Sequence, residues 1–429
     1  MNGHVLTPAA LILILLFAAL PAPSPAAEPK AEAAWPEFHG PKRDNISTET
    51  GLLKRWPEGG PELLWTFDDC GGGYSGVAVA EGKIFTAGDF DEQEMLITLD
   101  LDGKLLWKSP NGKSWTGAEP GSRTTPTYRD GVLYHMNPRG RLAAYRAGDG
   151  KELWAVDLKE RFNARYGVWA MAENVIVDGD RVFCLPGGSQ GFAAALDKRT
   201  GKTLWANKEM ARDFDRAAYG SPVLAEYGGV RQLITLSDRR VVALEVETGR
   251  MVWSHPFPLP DYRRFFQNTN TPVFQDGHVF VTGGHKAGGV LLKVRPDLSG
   301  ADVVWYKESF DNCHGSVILI DGRLYGCGCR LSRKGFFCVD FLTGEVLQND
   351  PALGKVSITY ADGMLYCVDH KGPMSLLRAK PDGFQLVSRF DLPKNSDGLY
   401  LCHPVVCGGR LYVRHDRWLY CYDVRAEQP

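Results

Sequence analysis

A glycine that opens a hairpin strand, usually after Asp, recurs eight times along the chain at nearly constant spacing. The gaps between successive glycines are 49, 48, 49, 49, 45, 41 and 46 residues, a period typical of arrays of four-stranded units. The sequence therefore predicts an all-β, eight-bladed β-propeller of four-stranded antiparallel blades. The eight glycines are Gly82, Gly131, Gly179, Gly228, Gly277, Gly322, Gly363 and Gly409.

A second motif follows each hairpin. Asp-Gly between apolar runs favours a primed turn, because positive φ matches the twist of the two strands. Downstream, the segment 195–205 (AlaLeuAspLysArgThrGlyLysThrLeuTrp) returns at 243–253 and, less completely, at 144–154. We expect each Trp to begin an outermost strand and to pack over the small Ala of a neighbouring blade, which would lock the blades together. Trp107 and Trp305 continue the series, blade six has Gln348 at this position, and blade seven has no match.

The last repeat is incomplete. Residues 420–424 read TyrCysTyrAspVal, and no Gly or Trp of the motif follows them. The missing strand is found near the start of the chain, in GlyProGluLeuLeuTrp at 60–65. We expect this N-terminal strand to complete blade eight and close the ring, which removes exposed sheet edges.

Composition and the N-terminal segment constrain partners and location. The 49 Lys and Arg against 51 Asp and Glu leave no global field for nucleic acid. An apolar run at 11–20 is too short to span a bilayer and is followed by a Pro- and Ala-rich stretch at 21–27, which predicts a cleaved signal peptide. The alternative is an uncleaved membrane anchor. The predicted organisation is a signal peptide at 1–27, an N-terminal extension at 28–60 and the propeller at 61–429.

The ten cysteines would ordinarily suggest disulfides in an exported chain. Cys184, Cys338, Cys367 and Cys421 fall at repeat-equivalent core positions, where small buried hydrophobic residues are expected. Cys327 and Cys329 would share one face of a strand, and a metal site there would need further ligands that the sequence does not identify. We therefore interpret these cysteines as packing residues.

The Ala-x-Asp-x-x-Thr-Gly-Lys-x-x-Trp segments resemble those of the quinoprotein-dehydrogenase-like superfamily of eight-bladed propellers. This superfamily includes dehydrogenases dependent on pyrroloquinoline quinone (PQQ) and the outer-membrane assembly lipoprotein BamB. The opening TrpProGluPheHisGlyProLysArgAsp at 35–44, with TrpPro at 56–57, is similar to the start of secreted PQQ-binding-like propellers of bacteria. The resemblance covers residues 35 to 424 and is specific for the fold, not for the cofactor.

The resemblance also implies what a dehydrogenase of this type would need. Its members carry adjacent cysteines in a vicinal disulfide over the quinone, and this chain has no Cys-Cys pair. They also place several oxygen ligands around a calcium ion, because a hard cation takes many oxygens. PQQ and Ca²⁺ are therefore disfavoured as cofactors, and no catalytic or metal-binding residue is assigned.

The residues that enter the innermost strands are expected to crowd the central channel. Glu173 and His403 are titratable groups where most blades have a small hydroxyl, which makes them candidates. Each also has a structural interpretation, which we favour: Glu173 caps a backbone amide or pairs with Arg165, and His403 bonds a neighbouring strand. The equivalent residues in the other blades are Gly76, Thr125, Ser221, Thr271, Ser316 and Ser357. The nearby residues expected to line the same channel mouth are Arg123, Trp169, Asn268, Asn270 and His314.

These observations favour an extracytoplasmic, non-catalytic scaffold that binds a protein or polymer through its loops. The alternative is a PQQ- and calcium-dependent alcohol dehydrogenase, and fold alone does not decide between them. We expect a monomer with no nucleic-acid partner and no membrane insertion after signal cleavage. The insert 109–117 between blades one and two carries Trp115 among turn residues and is predicted to be a contact loop.

Overall fold

The computed structural model describes Met1, Gly3 and residues 34–212, 216–258, 268–329 and 335–426. The chain divides into two units, Met1–Glu32 and Ala33–Pro429, and the fold described below is that of the second. Apart from Met1 and Gly3, the predicted signal peptide at 1–27 lies outside the described residues. Over the described ranges, no helix combines the length and the apolar character needed to cross a membrane.

Within the described residues the chain forms eight sheets arranged as blades, each with four antiparallel strands, which confirms the predicted propeller. Blades one to four comprise β3 (Ala78–Ala80), β4 (Lys83–Phe90), β5 (Gln93–Asp100) and β6 (Leu105–Lys113); β7 (Thr127–Arg129), β8 (Val132–Met136), β9 (Arg141–Arg146) and β10 (Glu152–Asp157); β11 (Ile176–Asp178), β12 (Arg181–Cys184), β13 (Ala194–Asp197) and β14 (Thr203–Ala206); and β15 (Val223–Tyr227), β16 (Val230–Leu236), β17 (Arg240–Glu245) and β18 (Met251–Pro256).

The remaining blades follow the same order of strands from the hub to the rim. Blades five to eight comprise β19 (Val273–Gln275), β20 (His278–Gly283), β21 (Gly288–Val294) and β22 (Ala301–Lys307); β23 (Val317–Ile320), β24 (Arg323–Cys327), β25 (Phe336–Asp340) and β26 (Val346–Asp350); β27 (Val356–Ala361), β28 (Met364–Asp369), β29 (Pro373–Lys380) and β30 (Gly383–Asp391); and β31 (Val405–Cys407), β32 (Arg410–His415), β33 (Trp418–Asp423) and β2 (Leu63–Phe67). Two short helices, α1 (Leu158–Phe162) and α2 (Glu209–Arg212), lie in the links after blades two and three.

Strand β2 closes the ring as predicted. It pairs antiparallel with β33 in the register Leu63 to Tyr422, Trp65 to Cys421 and Phe67 to Leu419. The outermost strand of blade eight therefore comes from the opposite end of the propeller sequence, and the edge that β33 would otherwise expose is covered.

The tryptophans of the outermost strands join neighbouring blades, but their partner differs from the predicted one. Ala195 lies across from Trp205 within the same blade. The indole of Trp205 instead lies against the turn glycine of the next blade, Gly249, where an added Cβ would come within 2.3 Å of the ring and φ is +72°. Its Nε1 donates to the Val246 carbonyl at 3.0 Å. The same pairing of indole and turn glycine joins Trp65 to Gly103, Trp107 to Gly150, Trp154 to Gly201 and Trp305 to Gly344.

Blades six and seven replace the missing indole in different ways. In blade six, the side-chain carbonyl of Gln348 accepts from the Phe384 amide of blade seven at 2.7 Å. In blade seven, the Ser388 hydroxyl accepts from the Trp56 amide at 3.0 Å. The Trp56 ring is buried against Phe390, with centroids 5.0 Å apart. The N-terminal segment therefore supplies the aromatic ring that blade seven lacks.

Residues 35–47, called the plug below, close one end of the central channel. Its backbone pairs with blade one at Trp35 and Val79 through two bonds of 2.8 Å, and the Pro36 carbonyl accepts from the Tyr128 amide of blade two at 2.7 Å. At its other end, β1 (Ile46–Ser47) pairs in parallel with β27, so blade seven has a fifth strand. These contacts join the plug to three innermost strands that are far apart in sequence.

A buried ion pair fixes the middle of the plug. Glu37 is 1% exposed and binds Arg43 at 2.7 Å, and it also pairs with Arg129 of blade two. The Arg43 guanidinium donates to the carbonyls of Asn174 at 2.9 Å and Pro222 at 3.2 Å. Arg43 therefore caps the backbone of blades three and four, whose first carbonyls would otherwise face the channel without donors.

Two sequence interpretations need correction. Cys329 forms a disulfide with Cys313, with Cα atoms 5.2 Å apart, so it is not a simple packing residue. Cys184, Cys338, Cys367 and Cys421 are free and buried, as predicted. The insert 109–117 is not a loop throughout, because strand β6 extends to Lys113 and the loop begins at Ser114.

Candidate functional site

A cavity of about 330 Å³ lies at the hub, on the face where the chain enters the innermost strands. This face is called the mouth below. The plug forms the floor of the cavity, and the segments that lead into the innermost strands form its wall. The floor residues are Trp35, Phe38, His39 and Asn45, and the wall includes Tyr74, Gly76, Arg123, Thr125, Trp169, Asn174, Tyr219, Ser221, Thr269, His285, Cys313, His314, Cys329, Lys355, Cys402 and His403.

Imidazoles join the floor to the wall. His39 Nε2 lies 3.0 Å from the Ser316 hydroxyl, and its ring meets the His403 ring edge to face at 4.6 Å. His403 Nδ1 contacts the Asn45 amide nitrogen at 3.2 Å, and its Nε2 lies 3.2 Å from the His314 carbonyl. The plug is therefore held to blades six and eight by a network of ring nitrogens.

Burial keeps these imidazoles neutral. It lowers the pKa of His403 to about 4, and it holds the pKa values of His39 and His314 well below the ordinary range. The neighbouring positive groups, Arg43 at His39 and Lys355 at His314, act in the same direction. At neutral pH these three imidazoles therefore add no positive charge to the cavity, and Arg123 and Lys355 supply cationic side chains to its wall.

Some polar atoms of the wall have no hydrogen-bond partner among the described residues. The Arg123 guanidinium donates through Nη2 to the Ala118 carbonyl at 2.7 Å, whereas its Nε has no partner. Both ring nitrogens of His314 and the Thr269 hydroxyl are likewise shielded from solvent and unpaired. Since buried polar groups are usually satisfied, such atoms around one cavity mark it as a place for a hydrogen-bonding ligand.

Aromatic rings border the same space. Trp169 and Tyr219 pack edge to face at 5.4 Å, and the Arg123 guanidinium lies 6.0 Å from the centre of the Tyr74 ring. Trp115, the predicted contact residue, packs edge to face against Tyr166, with ring centroids 5.8 Å apart. Its indole is therefore held by the link that follows α1.

The structure brings four of the sequence candidates together and places three behind the wall. Arg123, Trp169, His314 and His403 line the cavity. The three outside the lining are paired within the walls: Glu173 accepts from the Leu185 amide at 3.3 Å, Asn268 donates to the Ser237 carbonyl at 2.9 Å, and Asn270 donates to the Asn312 carbonyl at 2.8 Å. Burial raises the pKa of Glu173 to about 8.

Several residues that line the cavity could not be identified as candidates from the sequence repeat. His39 and Asn45 belong to the plug, which carries no repeat and so could not be aligned with the blades. Lys355 and Tyr219 precede innermost strands, but outside the single aligned position. The Cys313–Cys329 disulfide joins cysteines 16 residues apart, and a one-dimensional pattern does not single out that pairing among ten cysteines.

The described lining does not fit a calcium-bound quinone. Glu119 is the only carboxylate among the described lining residues, and it is exposed at the rim, where it accepts from the Tyr74 hydroxyl at 3.3 Å. Calcium takes six to eight oxygen ligands, usually with several carboxylates. Glu173, the other acidic candidate, does not line the cavity, and burial raises its pKa.

Comparison with known proteins shows one family. The family model described as "Outer membrane protein assembly factor BamB" matches residues 93–350, which is more than half of the chain. Among curated proteins, the chain is 31% identical over 206 residues to quinohemoprotein alcohol dehydrogenase ADH IIB of Pseudomonas putida, covering 44% of this chain and 26% of that one. It is 21% identical over 343 residues to BamB of Yersinia pestis, covering 76% of this chain and 81% of that one.

Solved structures share the fold at low sequence identity. The quinohemoprotein alcohol dehydrogenase of Comamonas testosteroni superimposes with a TM-score of 0.63 at 13% identity, covering 92% of this chain and 81% of that one. This likeness shows the fold alone. The matches to the first three curated relatives span only 26% to 40% of the length of those proteins.

Proposed function

The chain belongs to the family described as outer membrane protein assembly factor BamB, and from this membership we propose that it is an extracytoplasmic, non-catalytic propeller that binds a protein or polymer at its mouth. The observation that carries the proposal is the hub cavity with unpaired polar atoms in its wall. Its neutral imidazoles and single described carboxylate offer no pair of groups for acid–base work. They do offer donors and acceptors that a ligand would satisfy.

The closed floor limits how a ligand enters. Trp35 and His39 of the plug are 2% and 4% exposed and pack between blades, so a ligand would enter and leave through the mouth. A blind cavity of this kind takes a chain end, a side group or the tip of a loop, and not a threaded polymer.

The charge and shape of the wall narrow the chemistry of the ligand. Arg123 and Lys355 favour an anionic or hydrogen-bond-accepting group, because a guanidinium offers several fixed donors. Trp169 and Tyr219 provide apolar ring surface beside these donors. We therefore expect an acidic or strongly polar group attached to a ring or an aliphatic stem.

Binding is tested by probing a peptide array and a glycan array with the labelled, purified chain. Arg123→Ala removes the guanidinium and is expected to abolish the signals that the wild type gives. Arg146→Ala is the matched control, because Arg146 lies at the turn between β9 and β10, on the face opposite the mouth. Equal signals from both variants would contradict binding at the hub.

A second arm tests the dehydrogenase alternative. The purified chain is incubated with PQQ and Ca²⁺, and quinone absorbance and alcohol-dependent dye reduction are followed. We expect no stoichiometric complex and no turnover. A one-to-one complex that reduces dye with alcohol would overturn the non-catalytic proposal.

Export is tested separately. The full chain is expressed in a bacterium with an outer membrane, and the mature protein is recovered from the extracytoplasmic fraction and sequenced from its N-terminus. We expect the mature chain to begin near residue 28. Retention in the cytoplasm or in the inner membrane would contradict this part of the proposal.

A further inference from the structure

The wall of the hub cavity holds three metal-ligating side chains that the proposed binding role does not use. They are His285, Cys313 and Cys329, and their ligand atoms all lie within 4.8 Å of one another. Cys313 and Cys329 are 7% and 1% exposed, and all three residues line the cavity. The cluster therefore lies at the boundary between the core of the propeller and a space that an ion can enter.

Three separate segments of blades five and six bring these side chains together. His285 is in the hairpin turn between β20 and β21, where the Ala287 amide donates to the Gly284 carbonyl at 3.2 Å. Cys313 is in the link before β23, and Cys329 follows β24. The cluster thus depends on the packing of two blades and not on a local sequence motif.

A buried carboxylate fixes the segments that carry two of the three ligands. Asp311 is fully buried. Its Oδ2 accepts from the Lys286 amide, next to His285, at 2.8 Å, and its Oδ1 accepts from the Cys329 amide at 3.2 Å. Asp311 therefore joins the backbone next to His285 to the backbone of Cys329 through contacts that do not involve the two sulfurs. Outer groups of this kind commonly orient the ligands of metal sites.

The donor set matches a zinc ion when the cysteines are reduced. Two thiolates and one imidazole are common zinc ligands, and two sulfurs bound to one tetrahedral zinc lie roughly 3.8 Å apart. Three ligands from the described residues leave a fourth coordination position, which water or a ligand occupies in zinc sites of this kind. The disulfide, by contrast, has no thiolate to offer.

We propose that His285, Cys313 and Cys329 form a redox-gated zinc site in the wall of the hub cavity. In the oxidised chain the disulfide binds no ion. A dithiol reductant donates two electrons and two protons, so the S–S bond breaks, two thiols form, and the reductant leaves as its own disulfide. Zinc then displaces both thiol protons as the thiolates coordinate it.

The site is tested with Co²⁺ as a spectroscopic substitute for zinc. The purified chain is reduced with dithiothreitol, freed of reductant without oxygen, and titrated with CoCl₂. We expect one equivalent to bind with thiolate-to-cobalt charge-transfer absorption, which ZnCl₂ abolishes on addition. The oxidised chain is expected to give no such absorption.

Variants locate the ion. Cys313→Ser and His285→Ala are each expected to weaken cobalt binding at least about 100-fold, more than the loss caused by altering a group outside the coordination sphere. Cys184→Ser is the matched control, because Cys184 is a free, buried cysteine outside both the cavity lining and the cluster, and it is expected to leave cobalt affinity unchanged.

A measurement on the wild type tests the site even if the variants fail to fold. Zinc added to the reduced chain is expected to protect Cys313 and Cys329 selectively from alkylation, as read by mass spectrometry. Absence of charge-transfer absorption in the reduced chain, equal affinity in Cys313→Ser, or equal alkylation with and without zinc would each overturn the proposal. None of these results depends on which ligand the propeller binds.

Discussion

The histidines of the hub link protonation to folding at the scale of single residues. His403 has a pKa of about 4 in the folded chain because of burial, whereas an unfolded imidazole titrates near 6.5. Between these values the unfolded chain binds a proton that folded His403 does not. The free energy of unfolding should therefore fall as pH drops from about 6.5 to about 4, and stay constant with respect to this group above 6.5.

The variant His403→Gln tests this link. It removes the titrating group but keeps a side chain that can reach the Asn45 amide and the Ile358 carbonyl, which His403 contacts at 3.2 and 3.4 Å. We expect the loss of stability between pH 7 and pH 4.5 to shrink by roughly 2–3 kcal/mol. Urea unfolding at both pH values measures it. If the free energy of unfolding of the variant depends on pH as strongly as that of the wild type, His403 is not the cause of the dependence.

The effect of Glu173 on stability depends on pH in the opposite direction. Burial raises its pKa to about 8, so between about pH 4.5 and pH 8 the unfolded chain has lost a proton that the folded carboxyl keeps, and stability falls as pH rises. Glu173→Gln retains an acceptor for the Leu185 amide and cannot ionise. We expect this variant to be more stable than the wild type by a few kcal/mol at pH 8.5 and to gain least at pH 5. Thermal melts at the two pH values test this, and a gain that does not depend on pH would contradict it.

The positions of these two residues show what the sequence can predict of a site. Alignment of the blades correctly located the segments that surround the channel, because they follow the repeat. It did not determine the direction of each side chain. Ala172 and Asn174 line the cavity, whereas Glu173 between them does not, since successive side chains of an extended segment point to opposite sides. A shift of one residue in the alignment therefore exchanges a residue that lines the cavity for one that packs in the core.

At the scale of strands, the indole over a turn glycine is the repeated joint between blades. Two requirements select glycine at this position. The turn needs a positive φ, and the indole ring needs the space that a Cβ would occupy. The sequence indicated the Trp and the Gly together, but not that they belong to successive blades. That pairing depends on how the sheets stack around the axis, which no local pattern specifies.

Substitutions in β14 test this joint. Trp205→Ala would remove the ring from Gly249 and the bond to the Val246 carbonyl. We expect a loss of about 3 kcal/mol, typical of removing a large packed aromatic ring. Leu204→Ala is the matched control, because the adjacent leucine is 49% exposed and should cost less than about 0.5 kcal/mol. Similar melting temperatures for the two variants would show that the indole does not join the blades.

At the scale of the whole molecule, the segment before blade one has three roles that follow one another along the chain. Residues 35–47 close one end of the channel, Trp56 completes the packing of blade seven, and β2 closes blade eight. The closing strand was predictable because it matches the repeat. The plug was not, because its partners lie far away in the sequence, as for Asn45 and His403, which are 358 residues apart, and it resembles no other part of the chain.

A series of N-terminal truncations separates these roles. A chain that begins at residue 34 keeps every described contact of the plug and should melt as the full chain does. A chain that begins at residue 48 loses Arg43 and the Glu37 ion pair, which leaves the Asn174 and Pro222 carbonyls without their donor, and should melt at a lower temperature while staying folded. A chain that begins at residue 68 also loses Trp56 and β2, so β33 becomes an open edge, and we expect partial unfolding of blade eight and aggregation. Hydrogen exchange of β31 to β33 measures the unfolding of blade eight. The second and third chains both lack the plug, and they differ in β2 and its flanking residues. Equal protection of β31 to β33 in these two chains would therefore show that the ring does not depend on β2 for its closure.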